Sequence, residues 1–113
     1  MHTKDKAYLE HIAEAITKIE KYLRHATLQE IKTNEMLQDA VVRELEILGE
    51  ASNNISEEFR KKHPDITWHE IIGMRNKLIH EYFGVDLDIL WKTYQEDLPL
   101  LKSKIKEILK CKR

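Results

Sequence analysis

Arg75-Asn76-Lys77-Leu78-Ile79-His80-Glu81-Tyr82 is the stretch on which the fold turns. Wound as a helix at about 100° per residue, it joins the residues before it to put Ile71, Met74, Leu78, Ile79 and Tyr82 on one apolar stripe. Arg75 falls within that stripe. A guanidinium keeps its proton, and burying one unpaired costs on the order of several kcal/mol. Its partner is an acidic residue, a second subunit or an anionic ligand. Asn76 and His80, four residues apart, share the flank beside the stripe, so one can orient the other. An arginine, an imidazole and the phenol of Tyr82 are groups that can handle a phosphate. They are equally a buried polar cluster that fixes helix packing.

Outward from this stretch the chain reads as helices. Thr67-Trp68-His69-Glu70 has the capping-box pattern that opens the central helix, and Gly84 closes it. Asp86 caps the last helical region, with Leu87, Leu90, Trp91, Tyr94 and Leu98 as its apolar face. Pro99 kinks or restarts that region, and Leu101, Ile105, Ile108 and Leu109 continue it. Upstream, a first helix spans about Lys4 to Arg24 with Ile12, Ala15, Ile16, Ile19 and Leu23 on one face. Thr27-Leu28-Gln29-Glu30 is a second capping box after a break. Thr33 is the expected N-cap of the next helix, with Met36, Ala40, Ile47, Leu48, Ala51 and Ile55 facing inward. Ser56 caps a short piece through Lys62, and Pro64 ends it. The expected architecture is all-α: an up-and-down bundle of four to five helices, with residues 1–113 as one domain.

Composition bounds the partners. The 113 residues carry 19 basic and 20 acidic side chains, for a net charge of −1, so any nucleic-acid binding must come from a local patch. Lys102 to Arg113 offers one, with six basic residues against Glu107, although a solvated helix face has the same composition. Three Gly and two Pro leave little material for a turn-rich β fold. Cys111 is the single cysteine, which excludes an intrachain disulfide and a cysteine-based zinc site. No apolar run resembles a leader or a membrane span, and the expected location is cytoplasmic, with no membrane partner.

Metal chemistry finds no pattern here. His63 and His69 come without a His-Glu-x-x-His arrangement. His69 and His80 would lie about 16 Å apart along one helix at 1.5 Å per residue, too far to share an ion. Serine elbows, P-loops and glycine-rich dinucleotide turns are absent. On the second long helix Glu44 projects into the apolar arc, while Arg43, Glu46 and Glu50 form a strip suited to an intrahelical ion-pair ladder. Pairing of Glu44 with Arg75 in the core would make Arg75 structural. Gly73 leaves a gap on the flank of His69, Asn76 and His80. A helical glycine costs roughly 1 kcal/mol against alanine, so it marks close approach of a neighbouring helix, a second subunit or a ligand.

The run Arg-x-x-x-x-His-x-Tyr at Arg75, His80 and Tyr82 resembles the signature of the HEPN superfamily, specifically HepT-like toxins. Its surroundings are similar too. Arg43-Glu44-Leu45-Glu46-Ile47-Leu48-Gly49-Glu50-Ala51 looks like the family's second-helix pattern. Trp68-His69-Glu70-Ile71-Ile72-Gly73-Met74-Arg75-Asn76 looks like the entry to the signature, and Phe83-Gly84-Val85-Asp86-Leu87-Asp88-Ile89-Leu90-Trp91 with Leu98-Pro99 looks like the exit. The resemblance implies a HEPN-like bundle, a homodimer with the signatures facing across a cleft, and metal-independent ribonuclease activity without a cofactor. It also implies a minimal nucleotidyltransferase antitoxin able to transfer AMP onto Tyr82.

The chemistry suits those residues. Metal-free RNA cleavage uses the substrate's 2′-hydroxyl as nucleophile and requires a base, an acid and positive charge at phosphorus. His80 fits the first two roles and Arg75 the third, with Asn76 holding the imidazole and Tyr82 near the phosphate. One chain supplies one His80, so a two-fold dimer would complete the set. Two other classes are open: a non-catalytic nucleotide-binding or accessory subunit of a nucleotidyltransferase, and a structural dimeric bundle.

Overall fold

The computed structural model describes the backbone of residues 3–80 and 84–111 and, within these, the side chains of residues 3–74 and 86–110. Four longer helices carry the bundle: α1 (Thr3–Leu23), α3 (Glu35–Asn54), α5 (Trp68–Leu78) and α7 (Leu98–Cys111). Short helices α2 (Leu28–Thr33), α4 (Glu57–Lys62) and α6 (Leu87–Lys92) turn the chain between them. The fold is therefore the expected all-α bundle. α3 lies between α1 and α5, and α7 closes against α1.

Each boundary has a local cause. Thr27 accepts the Glu30 N–H at 3.1 Å and starts α2. Ser56 accepts the Phe59 N–H at 3.2 Å and starts α4, which stops at Lys62 before Pro64. Asp86 accepts the Ile89 N–H at 3.1 Å and starts α6. The N-cap of α3 is Asn34 rather than Thr33: Asn34 Oδ1 accepts from the Leu37 N–H at 3.1 Å. Thr33 instead closes α2, its hydroxyl donating to the Gln29 carbonyl at 3.1 Å. A threonine can bond back into its own helix, so either polar residue of the Thr-Asn pair could have capped.

The apolar spacing of α1 works as expected: Ile12, Ala15, Ile16, Ile19 and Leu23 are all buried, with Leu9 extending the face. On α3 the buried face is Val41, Leu45, Leu48, Ala51 and Ser52. Met36, expected inside, is 84% exposed, and Ala40 and Ile47 are only half-buried. Met36 is the second residue of α3, in its exposed first turn. On α7, Leu101, Ile105 and Ile108 are buried.

Two features of the ends were not legible. Asp5 is buried at 4% exposure and takes the Ser56 N–H at 2.8 Å and the Ser56 hydroxyl at 2.7 Å, fastening the start of α1 to the start of α4. Lys102, read as part of a solvated basic face, instead ion-pairs with Glu20 at 2.6 Å and joins α7 to α1. Lys104 donates to the Asp65 carbonyl at 2.6 Å. The region around Pro99 does restart: a π-helical turn, Thr93–Asp97, separates α6 from α7. Pro99 has no N–H for the Gln95 carbonyl, and the wider turn, closed by the Leu98 N–H on the Thr93 carbonyl, absorbs that loss.

Candidate active site

The helix that carries the signature ends sooner than its apolar period suggests. α5 stops at Leu78, and Ile79–His80 (β1) pairs antiparallel with Gly84–Val85 (β2), Ile79 opposite Val85 and His80 opposite Gly84. Arg75 and Asn76 therefore lie on the last turns of α5, while His80 lies on a strand. The expected run of the helix to Gly84 is overturned, so Asn76 and His80 are not spaced along one helix. The physical reason lies in Ile79, Tyr82, Phe83 and Val85. A β-branched and aromatic run of this kind suits extended backbone, and its spacing over so few residues matches a final helical turn equally well. The side chains of Arg75, Asn76 and His80, and Tyr82 as a whole, lie outside the described residues.

β1 follows α5 directly, so the backbone of His80 stands two residues beyond the end of the helix, with Gly84 paired beside it. The estimated separation of His69 from His80 along one helix no longer applies, since the helix ends between them.

On the near side of α5 the structure opens a groove of about 360 Å³, lined among others by Ile66, His69, Glu70, Gly73, Asp97 and Lys104. Among the described residues a Cβ on Gly73 would meet nothing within 4 Å, and none of their helices fills its gap. Asn76 is one turn on from Gly73 along α5. The opposite wall comes from the π-helical turn and the start of α7, through buried Thr93, Asp97 and exposed Leu100. Such turns recur where a helix is opened for function. Sequence spacing gave no sign of Thr93 or Asp97 as wall residues. The groove's volume is that of a small-ligand pocket.

The other polar candidates resolve differently. His63 stacks on Phe59 with ring centroids 4.4 Å apart, and its carbonyl takes the Trp68 indole N–H at 3.0 Å, so its place is structural. Among the described residues no three of His, Cys, Asp or Glu converge so as to hold a metal ion. Glu44 is buried at 4% exposure, as expected of a residue in the apolar arc. Arg43, Glu46 and Glu50 are exposed along α3.

Comparison with known proteins settles the family. The pattern described as "Ribonuclease HepT-like" matches residues 12–108, which takes in the second half of α1, all of α3 and α5, most of α7 and the whole signature region. The chain belongs to the HepT-like ribonuclease family. It is 49% identical over 110 residues, 97% of this chain and 100% of the other, to the "Probable ribonuclease HepT" of Thermococcus cleftensis. It is 43% identical over 104 residues, 92% of this chain and 93% of the other, to the "Putative RNase TTE0752" of Caldanaerobacter subterraneus. A third relative, "Gamma-glutamylcyclotransferase and putative RNase MJ0434" of Methanocaldococcus jannaschii, is 46% identical over 104 residues; the match covers 92% of this chain and 47% of that protein. No solved structure matches the chain. No helix of the described residues is long and apolar enough to cross a membrane.

Proposed function

We propose that this HepT-like protein is a metal-independent endoribonuclease whose active site is completed by a homodimer, and that a cognate minimal nucleotidyltransferase antitoxin silences it by AMP transfer to Tyr82. The observation that carries the reading is the family match over residues 12–108, with a probable ribonuclease 49% identical over 97% of the chain.

In this reaction the RNA's 2′-hydroxyl attacks the adjacent phosphorus while an imidazole removes its proton. The P–O5′ bond breaks, and a second imidazole protonates the departing 5′ oxygen. The products are a 2′,3′-cyclic phosphate and a 5′-hydroxyl, with no oxidant, metal or cofactor in the balance. His80 takes one role and the partner's His80 the other. Arg75 offsets the charge that builds on the phosphorane oxygens. Asn76 supports His80, and Tyr82 sits at the substrate phosphate. An adenylate on Tyr82 adds bulk and a phosphodiester charge at that phosphate, and like-charge repulsion then opposes RNA binding.

Two measurements test the scheme. Cleavage of single-stranded RNA should persist in excess EDTA and leave 2′,3′-cyclic phosphate ends; loss of cleavage on chelation, or 3′-hydroxyl ends, would reject the chemistry. Co-expression with the nucleotidyltransferase should add adenylate-sized mass to the Tyr82 peptide, and none to a Tyr82→Phe form. An unmodified toxin inhibited only within a complex would reject the switch while leaving the ribonuclease intact.

A further inference from the structure

Thr93 stands in the π-helical turn at 6% exposure and lines the groove beside α5. Its hydroxyl has no hydrogen-bond partner among the described residues. A helical threonine commonly donates to a carbonyl three or four residues back, as Thr17 does to Ala13 at 3.0 Å and Thr33 to Gln29 at 3.1 Å. At Thr93 only the backbone does so, its N–H reaching the Ile89 carbonyl. A buried hydroxyl left unpaired costs stability. This one borders an open groove of about 360 Å³, where a ligand can meet it.

The rest of the lining narrows the chemistry of that ligand. Ile71, Met74 and Leu101 are buried and give the groove an apolar base. Asp97, four residues after Thr93, and Glu70 from α5 are exposed carboxylates with no ion pair or hydrogen bond among the described residues. Lys104 also lines the groove, but it already donates to the Asp65 carbonyl at 2.6 Å. Two carboxylates beside one engaged ammonium oppose a phosphate in the groove and favour a neutral group rich in N–H donors. His69 adds an imidazole on which a planar ring can stack. The volume is near the lower end for small-ligand pockets, roughly 300–1,000 Å³, and suits a single heterocycle.

We propose that the groove binds one unpaired nucleobase of the RNA substrate and prefers bases with an exocyclic amino group (adenine, cytosine or guanine) over uracil. That the ligand is RNA rests on the ribonuclease reading. The amino group donates to the Asp97 carboxylate, and the Thr93 hydroxyl, which can donate or accept, meets a neighbouring ring nitrogen or carbonyl. Uracil offers two carbonyls and one ring N–H, so its acceptors would stand against the carboxylates. The sugar and phosphates stay outside the groove. From Gly73, the backbone of His80 is at most about 14 Å further along the chain, at 1.5 Å per helical residue and 3.3 Å per strand residue. A base in the groove and a phosphate at the proposed active site therefore belong to one short stretch of RNA.

The 2′-O-methyl forms of oligoadenylate, oligocytidylate and oligouridylate lack the attacking hydroxyl, so their binding to the full chain, read by fluorescence anisotropy, is independent of cleavage. The adenylate and cytidylate oligomers should bind about five- to tenfold more tightly than the uridylate. Asp97→Asn should narrow that ratio. Thr93→Val should weaken adenylate binding about fivefold, the loss of one hydrogen bond. Its Tm should equal or exceed that of the unaltered chain, because a methyl group replaces an unpaired buried hydroxyl. Equal binding of the three oligomers, an unchanged ratio in Asp97→Asn, or unchanged adenylate affinity in Thr93→Val would overturn the proposal. A lower Tm in Thr93→Val would give the hydroxyl to the fold, and a changed oligomeric mass in either variant would give the groove to a second copy; each overturns it too. A chain that binds with this preference yet cleaves no unmodified RNA would reject the ribonuclease reading and keep the base site. A chain that cleaves but shows no preference would do the reverse.

Discussion

Three residues show how a single side chain, or its lack, is decided by what faces it. Asp5 is an acidic residue near the beginning of an amphipathic helix, a common and uninformative thing to find in a sequence. Its burial against Ser56 is a tertiary fact, joining positions 51 residues apart. Asp5→Ala removes a charged acceptor from a buried N–H and hydroxyl, and should cost about 1–3 kcal/mol in urea unfolding. Gly49 and Gly73 look alike in the sequence and differ in the fold. The first faces backbone at ordinary contact distance, the second faces the groove. Gly49→Ala should be tolerated and Gly49→Leu should not. Gly73→Ala meets open space and should raise stability by roughly 0.5–1 kcal/mol through helix propensity alone. If RNA uses the groove, that same variant will also cleave more slowly.

Elements were legible where the chain carries its own punctuation. Ser56, Pro64, Asp86 and Thr27 announce boundaries because each acts on its immediate neighbours, and the structure places a boundary at each. Asp86→Ala should therefore cost about 1 kcal/mol, measured as a Tm shift, the usual effect of losing an N-cap. The end of α5 was not legible, because the spacing of Ile79, Tyr82, Phe83 and Val85 reads as a helical turn or as a short strand until its partner is known. β1 exists by pairing with β2, and that register belongs to two segments rather than one. The same limit hid the π-helical turn. Pro99 announced an interruption, but its form depends on how α6 and α7 are held by the rest of the bundle.

For the whole molecule, bundle class followed from composition and helical period, and the site followed from the signature's resemblance more than from periodicity. Periodicity put Arg75 on an apolar stripe and asked for a partner. In the proposed site, a dimer cleft with a bound phosphate would meet its donors. The proposed cleft requires two copies, so light scattering at micromolar concentration should give the mass of a dimer; a monomer mass would remove the second imidazole from the mechanism. The central claim is that His80 moves protons in RNA cleavage. The most direct measurement compares cleavage of single-stranded RNA in EDTA by the unaltered chain and by His80→Ala, each cleared of host nucleases. The rate should fall by about two to four orders of magnitude in the variant, the usual contribution of general acid–base catalysis, while its Tm stays close to that of the unaltered chain. Equal cleavage by the two proteins would contradict it.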